Sequence, residues 1–266
     1  MHEVPSLLVA GDLAQALFDS SLPLEVSPDP GDPAWQPVTD LLEPQRWADL
    51  GQRYSRWIRT PHAAPGLVCA LQHYAGRAMA VMVTTWCADG TLLDPDHDRW
   101  FARIDGDGAT RAVAVPGLPS IGRSDDPDVL AEAVLGHLGP LVDATVAAGN
   151  ATRRLALGCV AASTACGFGL GWRSVPPDRR PAVAAAADQV LAQFTERGRP
   201  MVSMVGLSRP EGLAHDRHVC CLIRLGEGHD MCASCPDLPA DERRRRQRDF
   251  QRTAMVVNLR GKTEGR

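Results

Sequence analysis

Apolar residues recur every three or four positions over most of the chain, the spacing that places them on one face of a helix. This spacing predicts helices over residues 5–19, 38–58, 64–86 (as one helix or as two in sequence), 126–148, 152–166, 181–197 and 241–250. Residues 20–35, rich in Pro and Asp, predict a loop, and Thr60-Pro61 separates two of the helices. The body of the protein is therefore expected to be mainly helical.

Strand-like alternation of apolar and polar residues is confined to short stretches. Residues 100–104 and 111–115 alternate in this way, and Asp105-Gly106-Asp107-Gly108 between them is typical of a hairpin turn. A further strand is predicted over residues 200–207. Together with the helices, these stretches predict an α+β fold with a small amount of antiparallel sheet.

Two of the predicted helices have features that need explanation. Residues 155–172 form an uncharged run of eighteen residues, near the length of a membrane span. This run contains Ser163, Thr164 and four glycines, so we predict a buried core helix that breaks after Cys166 and no membrane span. In another apolar helix, Arg77 is a charge that needs a partner once it is buried.

Composition and charge narrow the class of protein. The 266 residues are 44% hydrophobic and 23% charged, which is ordinary for a globular protein. Residues 1–10 do not resemble a signal peptide, so we expect a reducing cytoplasmic location, with loose membrane association left open. Residues 241–266 carry nine Arg or Lys against four Asp or Glu, a net charge of +5 within a chain whose net charge is −4.

Four of the eight cysteines fall within sixteen positions: Cys220, Cys221, Cys232 and Cys235. The C-x-x-C pair can direct two sulfurs at one metal across a tight turn. The adjacent pair can share a site only if the backbone turns there, because neighbouring side chains of a strand point to opposite faces. An iron–sulfur cluster, zinc and disulfides are all candidates, and a reducing compartment favours metal thiolates.

The remaining cysteines and the nucleotide motifs are less informative. Cys69, Cys87, Cys159 and Cys166 lie among apolar residues and are predicted to be packing residues of the core. The sequence shows no recognisable NAD(P)H, FAD or Walker pattern. A reductase built on this chain would therefore need electrons from outside.

The stretch from Arg217 to Pro236, with its C-C-x10-C-x2-C spacing, resembles the C-terminal motif of the FhuF-like ferric siderophore reductases. In that family the four cysteines hold a [2Fe-2S] cluster. Residues 64–86 are similar to the family's helical N-terminal domain, which is shared with siderophore synthetases. The resemblance implies a helical domain over residues 1–210 and a [2Fe-2S]-binding segment with a basic helix over residues 211–266.

The function implied by this resemblance is one-electron reduction of Fe(III) in an imported siderophore, which releases Fe(II). Cys220, Cys221, Cys232 and Cys235 are the expected ligands, with Cys232 and Cys235 on the same iron. Further candidates for hydrogen bonds to the cluster or for substrate contacts are Arg217, His218, Arg224 and His229. The alternative is a non-redox siderophore-binding or biosynthetic accessory protein with a structural zinc or cluster site.

A run of basic residues follows the cysteines: Arg243, Arg244, Arg245 and Arg246. The run is interpreted either as the solvated face of a helix or as a docking surface. The docking partner would be an acidic electron donor such as a ferredoxin, or an anionic ferric siderophore. Nucleic-acid binding is disfavoured because the rest of the chain is acidic and no recognition motif accompanies the run.

Overall fold

Six helices form the body of the part of the protein that the structure describes. The computed structural model describes residues 24–25, 34–117, 119–208 and 211–250. The helices are α1 (Pro44–Trp57), α2 (Ala63–Asp89), α3 (Pro127–Ala147), α4 (Arg153–Ser174), α5 (Arg180–Ala192) and α6 (residues 240–250). Together with small sheets they make the α+β fold that the sequence predicts.

Ten short strands complete the described part of the chain: β1 (Leu24–Glu25), β2 (Trp35–Pro37), β3 (Thr91–Leu93), β4 (Phe101–Ile104), β5 (Thr110–Ala114), β6 (Ser120–Arg123), β7 (Thr195–Glu196), β8 (Arg199–Pro200), β9 (Val202–Ser208) and β10 (Glu211–Arg217). The largest sheet has the order β1-β5-β4-β2, in which β1 is parallel to β5 and the other pairs are antiparallel. Three antiparallel pairs, β3 with β6, β7 with β8 and β9 with β10, lie outside this sheet.

The centre of the core is the contact between α2 and α4, and it depends on glycines of α4. A Cβ atom at Gly167 would lie 2.7 Å from the carbonyl oxygen of Met79, and one at Gly171 would lie 2.5 Å from Sγ of Cys87. The predicted break after Cys166 is therefore wrong, because α4 continues to Ser174. The close approach of the two helices stabilises helical backbone where local preference alone would favour a break.

Two other predicted helices differ from those observed. Residues 38–42 form a 3₁₀ turn, and α1 begins at Pro44, which has no backbone N–H and is favoured at the first helical position. The helix predicted over 181–197 ends at Ala192. The chain leaves the helix there because Phe194 is fully buried, and Arg197 and Gly198 at positive φ close the β7–β8 hairpin.

Several of the remaining elements agree with the predictions, but β1 lies within residues 20–35, which were predicted to be a loop, and β2, β3 and β6 were not predicted. Helix α2 is a single helix, α3 begins where the Asp126 side chain accepts from the N–H of Asp128, and β4 and β5 form the predicted hairpin. The helix predicted at 5–19 lies outside the described residues. Strand β9 was predicted and β10 was not, and the two pair along their length across the predicted boundary at residue 210.

Helices α2 and α4 resolve the two features noted in the sequence. Arg77 in α2 finds backbone partners, since it donates to the carbonyl oxygens of Arg111 and His73, both at 3.1 Å. Helices α3 and α4 are long and apolar enough to cross a membrane, but 83% of the apolar window of α4 is buried inside the protein. A buried core helix has the same length and composition, so the two helices are weak evidence for a span.

The contact between α1 and α2 gives a test of the fold. A Cβ atom at Gly66 would lie 2.1 Å from the carbonyl oxygen of Gly51 and 2.1 Å from Oγ of Ser55. We expect Gly66→Ala to lower the free energy of unfolding by about 3 kcal/mol, because the helices must separate. Gly136→Ala, at an exposed position of α3 with open space around it, should raise that free energy by up to about 1 kcal/mol. Urea unfolding measures both, and equal stability of the two variants would contradict this packing.

Candidate metal centre

The cysteine segment begins where β10 ends, and it is fastened to the helical body at several points. Val219 packs against α4, where a Cβ atom at Gly158 would lie 2.6 Å from the Cβ of Val219. The N–H of Arg217 donates to the carbonyl oxygen of Ser234 at 3.2 Å, which ties the end of β10 to the C-x-x-C loop. The N–H of Glu227 donates to the carbonyl oxygen of Ile58, the residue that follows α1. The segment is thus positioned by backbone contacts as well as by its side chains.

The backbone makes the turn that an adjacent cysteine pair requires. Leu222 has a φ of +63°, in the left-handed region, and its N–H donates to Sγ of Cys220 at 3.3 Å. In the other half of the motif, the N–H of Cys235 donates to the carbonyl oxygen of Cys232 at 3.0 Å, closing a tight turn. Both cysteine pairs therefore present their sulfurs from turns.

The four sulfurs form a continuous series of contacts. The Cys221 side chain is in hydrogen-bond contact with Cys220 and Cys232, and Cys220 also contacts Cys235. The contacts thus run in the order Cys232, Cys221, Cys220 and Cys235. That Cys232 and Cys235 share one iron stays a prediction.

An acidic residue that the sequence did not single out lies at this site. The ligand atoms of Cys220, Cys235 and Asp237 all lie within 4.8 Å of one another. Asp237 follows Cys235 by two residues, and an acidic residue so near a C-x-x-C pair is a signal that could have identified it. The site therefore offers a carboxylate oxygen in addition to four sulfurs.

The thiols differ in their proton affinity. Hydrogen bonding by Cys221 lowers the pKa of Cys220 to about 6 and that of Cys232 to about 5, although burial opposes both shifts. The same contacts, with burial, raise the pKa of Cys221. The lowered pKa values of Cys220 and Cys232 favour the thiolate, which is the form that binds metals.

Arg217 is a buried cation next to these sulfurs. Only 3% of the residue is exposed, and its guanidinium donates to the carbonyl oxygen of Val219, to Oε1 of Gln72 and to Sγ of Cys159. None of these partners is a carboxylate. Burial opposes the charge, but negative charge on the surrounding cysteine sulfurs raises the pKa of Arg217.

A buried cation without an anionic partner is costly, since removing a charge from water costs several kcal/mol or more. Among the described residues, the groups whose negative charge raises the pKa of Arg217 are cysteine sulfurs, among them Cys221 and Cys232. A metal–thiolate group carries net negative charge and would meet this requirement permanently. The residues present therefore fit a thiolate-ligated metal centre.

Two cysteines that the sequence assigned to core packing have additional contacts at this site. Cys69 donates from Sγ to the carbonyl oxygen of Cys221 at 3.5 Å and also contacts the sulfur of Cys221. Cys159 accepts from Arg217 at 3.3 Å. Both residues are buried in the core as predicted, and their contacts with the cysteine segment are additional to that packing. No local pattern could have indicated them, because Cys69 and Cys221 are 152 residues apart in sequence.

The other candidates named from the sequence lie at different places. His218 is in contact with Oγ of Ser203 and the carbonyl oxygen of Pro200, both at 3.2 Å, and His229 packs edge-on against the Trp57 ring. Both imidazole rings are thus engaged with groups other than the cysteines. Arg224 contacts the Cys220 sulfur and forms a 2.8 Å ion pair with Asp237.

The basic run of α6 is mainly structural. Arg243 and Arg244 form ion pairs with Asp216 of β10, at 3.0 Å and 2.6 Å, and Arg246 donates to the carbonyl oxygen of Met231 at 2.7 Å. We call Arg243, Arg244 and Arg246 the arginine clamp. It fastens α6 to β10 and to the C-x-x-C loop.

Arg245 differs from the clamp residues. Its side chain is 63% exposed, and it pairs only with Glu242 of its own helix among the contacts of the described residues. A docking role for the basic run therefore falls mainly on Arg245.

No family model matches the chain, and no curated protein matches it.

The arginine clamp should stabilise α6 and the C-x-x-C loop locally. We expect Arg244→Met to increase hydrogen exchange in α6 and in residues 231–235, because Asp216 loses a bidentate partner with hydrogen bonds of 2.7 Å and 2.6 Å. Arg245→Met is the matched control and should leave exchange unchanged, since its ion pair is exposed. Equal exchange in the two variants would show that the clamp does not hold α6.

Proposed function

We propose that this protein is a [2Fe-2S] ferric siderophore reductase of the FhuF-like kind. In this proposal Cys220, Cys221, Cys232 and Cys235 ligate the cluster. The observation that carries the proposal is the continuous contact of four cysteine sulfurs beside Arg217, a buried cation whose hydrogen bonds include no carboxylate. The resemblance of the cysteine spacing to that family supplies the choice of reaction.

The reaction itself needs little from the protein besides electron delivery. Hard, anionic oxygen ligands hold Fe(III) far more tightly than Fe(II). Adding one electron to Fe(III) in a siderophore therefore weakens the complex and releases the metal. No protein bond forms or breaks, so general acid–base residues are not required.

The residues around the sulfurs have defined tasks in this proposal. When bound, the cluster supplies the ability to accept and pass on one electron at a time. Arg217 balances the negative charge of the thiolates, and the N–H of Leu222 donates to the Cys220 sulfur. Both contacts favour an additional electron, because hydrogen bonds and positive charge near the sulfurs raise a cluster's reduction potential.

The electrons are proposed to come from an external donor such as a ferredoxin, since the sequence has no recognisable nicotinamide or flavin motif. Cys220 is only partly buried, so electrons can enter near it. Arg245 is the exposed cation of α6 that an acidic donor could approach. The proposal places the protein in the reducing cytoplasm and assigns it no nucleic-acid partner.

A structural zinc site in a non-redox siderophore-binding or biosynthetic accessory protein is the second candidate. It is favoured by one observation, the proximity of Cys220, Cys235 and Asp237, because sulfur and carboxylate ligands within a few ångströms suit one tetrahedral zinc. Zinc does not change its oxidation state, so this protein would be colourless and would transfer no electrons.

The test of the proposed function is electron transfer to a ferric chelate. Protein isolated without oxygen is reduced with dithionite, freed of the excess and mixed with a ferric siderophore. We expect the visible absorption of the oxidised cluster to return, and a ferrous-specific chelator to trap about one Fe(II) per chain, because each cluster stores one electron.

Two cysteine variants serve as controls for this experiment. Cys221→Ser should lose the visible absorption and the reaction. Cys87→Ser, which changes a buried thiol packed against Gly171 of α4, should retain both. A wild-type cluster that stays reduced in the presence of ferric siderophores would refute the reductase, and an unchanged spectrum in Cys221→Ser would refute the ligand assignment.

A further inference from the structure

A cavity of about 420 Å³ lies beside the candidate metal centre. Its walls come from helices α2 and α4, strand β10, the C-x-x-C loop and helix α6. The volume falls within the range of about 300–1,000 Å³ that is usual for small-molecule sites. Phe250, which lines the cavity, is 46% exposed, so the cavity reaches the protein surface.

Small residues on the two central helices leave this space open. Gly76 of α2 and Gly169 of α4 both line the cavity. A Cβ atom at Gly76 would meet nothing closer than Oγ of Ser163 at 4.0 Å. The glycine at position 76 is therefore not required by helix packing, in contrast to Gly167 and Gly171, and a larger side chain there would enter the cavity.

The cavity wall carries more cationic than anionic groups, the candidate anion being the Cys232 thiol, whose pKa is lowered. Arg77, Arg173 and Arg217 line it, and none of the described residues that line it is Asp or Glu. The hydrogen bonds of Arg77 go to carbonyl oxygens, which do not cancel its charge. Burial, with a contribution from Arg111, lowers the pKa of Arg77 to about 10, and burial lowers that of Arg173 to about 10. The burial of these cationic groups in the cavity wall favours an anionic ligand.

His73 adds a polar side chain to the cavity wall, and its Nε2 is in contact with the Tyr54 hydroxyl at 2.9 Å.

The cavity also touches the candidate metal centre directly. Cys232 and Arg217 are both part of its wall. A molecule in the cavity would therefore lie next to a sulfur that the proposed function assigns to the cluster. Electron transfer weakens steeply with distance, so a substrate in this position would be well placed to receive an electron.

We propose that this cavity binds the ferric chelate, and that the chelate is anionic, with carboxylate or catecholate oxygens directed at Arg77 and Arg173. This inference rests on the proposed reductase function and adds the substrate class and its site. The arginines offset the repulsion between an anionic chelate and the thiolates, which is the electrostatic obstacle to bringing two such groups together. The electron comes from the ferredoxin-type donor through the cluster, and it converts Fe(III) to Fe(II).

The test measures binding with gallium(III) chelates, because gallium(III) resembles ferric iron in charge and size but is not reduced under these conditions. The probes are a gallium(III) tris(catecholate), which is strongly anionic, and a gallium(III) tris(hydroxamate), which is neutral. Calorimetric titration of the oxidised holoprotein should show tighter binding of the catecholate complex by about tenfold or more. Equal affinity for the two complexes would overturn the assignment of an anionic substrate.

Filling the cavity locates the binding site. Gly76→Leu should weaken binding of the gallium catecholate by about tenfold or more, and Gly76→Ala, which occupies little of the volume, should have an intermediate effect. Gly136→Leu is the matched control, since Gly136 lies in a helix interior with open space around it, and it should bind like the wild type. Wild-type affinity in Gly76→Leu would overturn the cavity assignment.

Failure of this inference can be told apart from failure of the proposed function. If ferric catecholate oxidised the reduced centre of Gly76→Leu as fast as that of the wild type, with gallium binding also unchanged, the chelate would bind elsewhere. The reductase function would stand in that case. If the wild-type centre were not oxidised by any ferric chelate, the proposed function itself would be wrong.

Discussion

The buried guanidinium of Arg217 is the contact on which the candidate site depends. It connects Gln72 of α2 and Cys159 of α4 to the start of the cysteine segment, and it lies against the sulfurs that would bind a metal. A cation at this depth requires compensating negative charge. Arg217, buried against the helical body, therefore needs negative charge nearby, and the sulfurs of the cysteine segment are the groups that can carry it.

That arrangement is possible because small residues let backbone segments approach closely. Gly167 and Gly171 bring α4 against α2, Gly158 admits Val219 at the start of the cysteine segment, and Gly226 packs against the end of α1. At Gly76 the same helices instead leave a cavity next to Cys232. Close packing and open space along the same pair of helices thus place the candidate metal centre and the cavity side by side.

The local sequence pattern was sufficient to predict elements that have regular apolar spacing or characteristic turn residues. The apolar spacing predicted α2 and α3, and the Asp-Gly turn predicted the β4–β5 hairpin. Long-range contacts decided the rest: α4 continues through its glycines because α2 packs against them, and residues 193–197 leave the helix because Phe194 is buried. The four clustered cysteines could be singled out from spacing, whereas Cys69 and the ion pairs of Arg243 and Arg244 required the fold.

The central claim is that the four cysteine sulfurs hold a [2Fe-2S] cluster, and metal analysis tests it most directly. The protein should be isolated without oxygen, and its iron, acid-labile sulfide and zinc measured per chain. The account predicts a brown protein with iron and sulfide in equal amounts, about two of each per chain, and little zinc. A colourless protein with about one zinc per chain and no sulfide would contradict it and would favour a structural site at Cys220, Cys235 and Asp237.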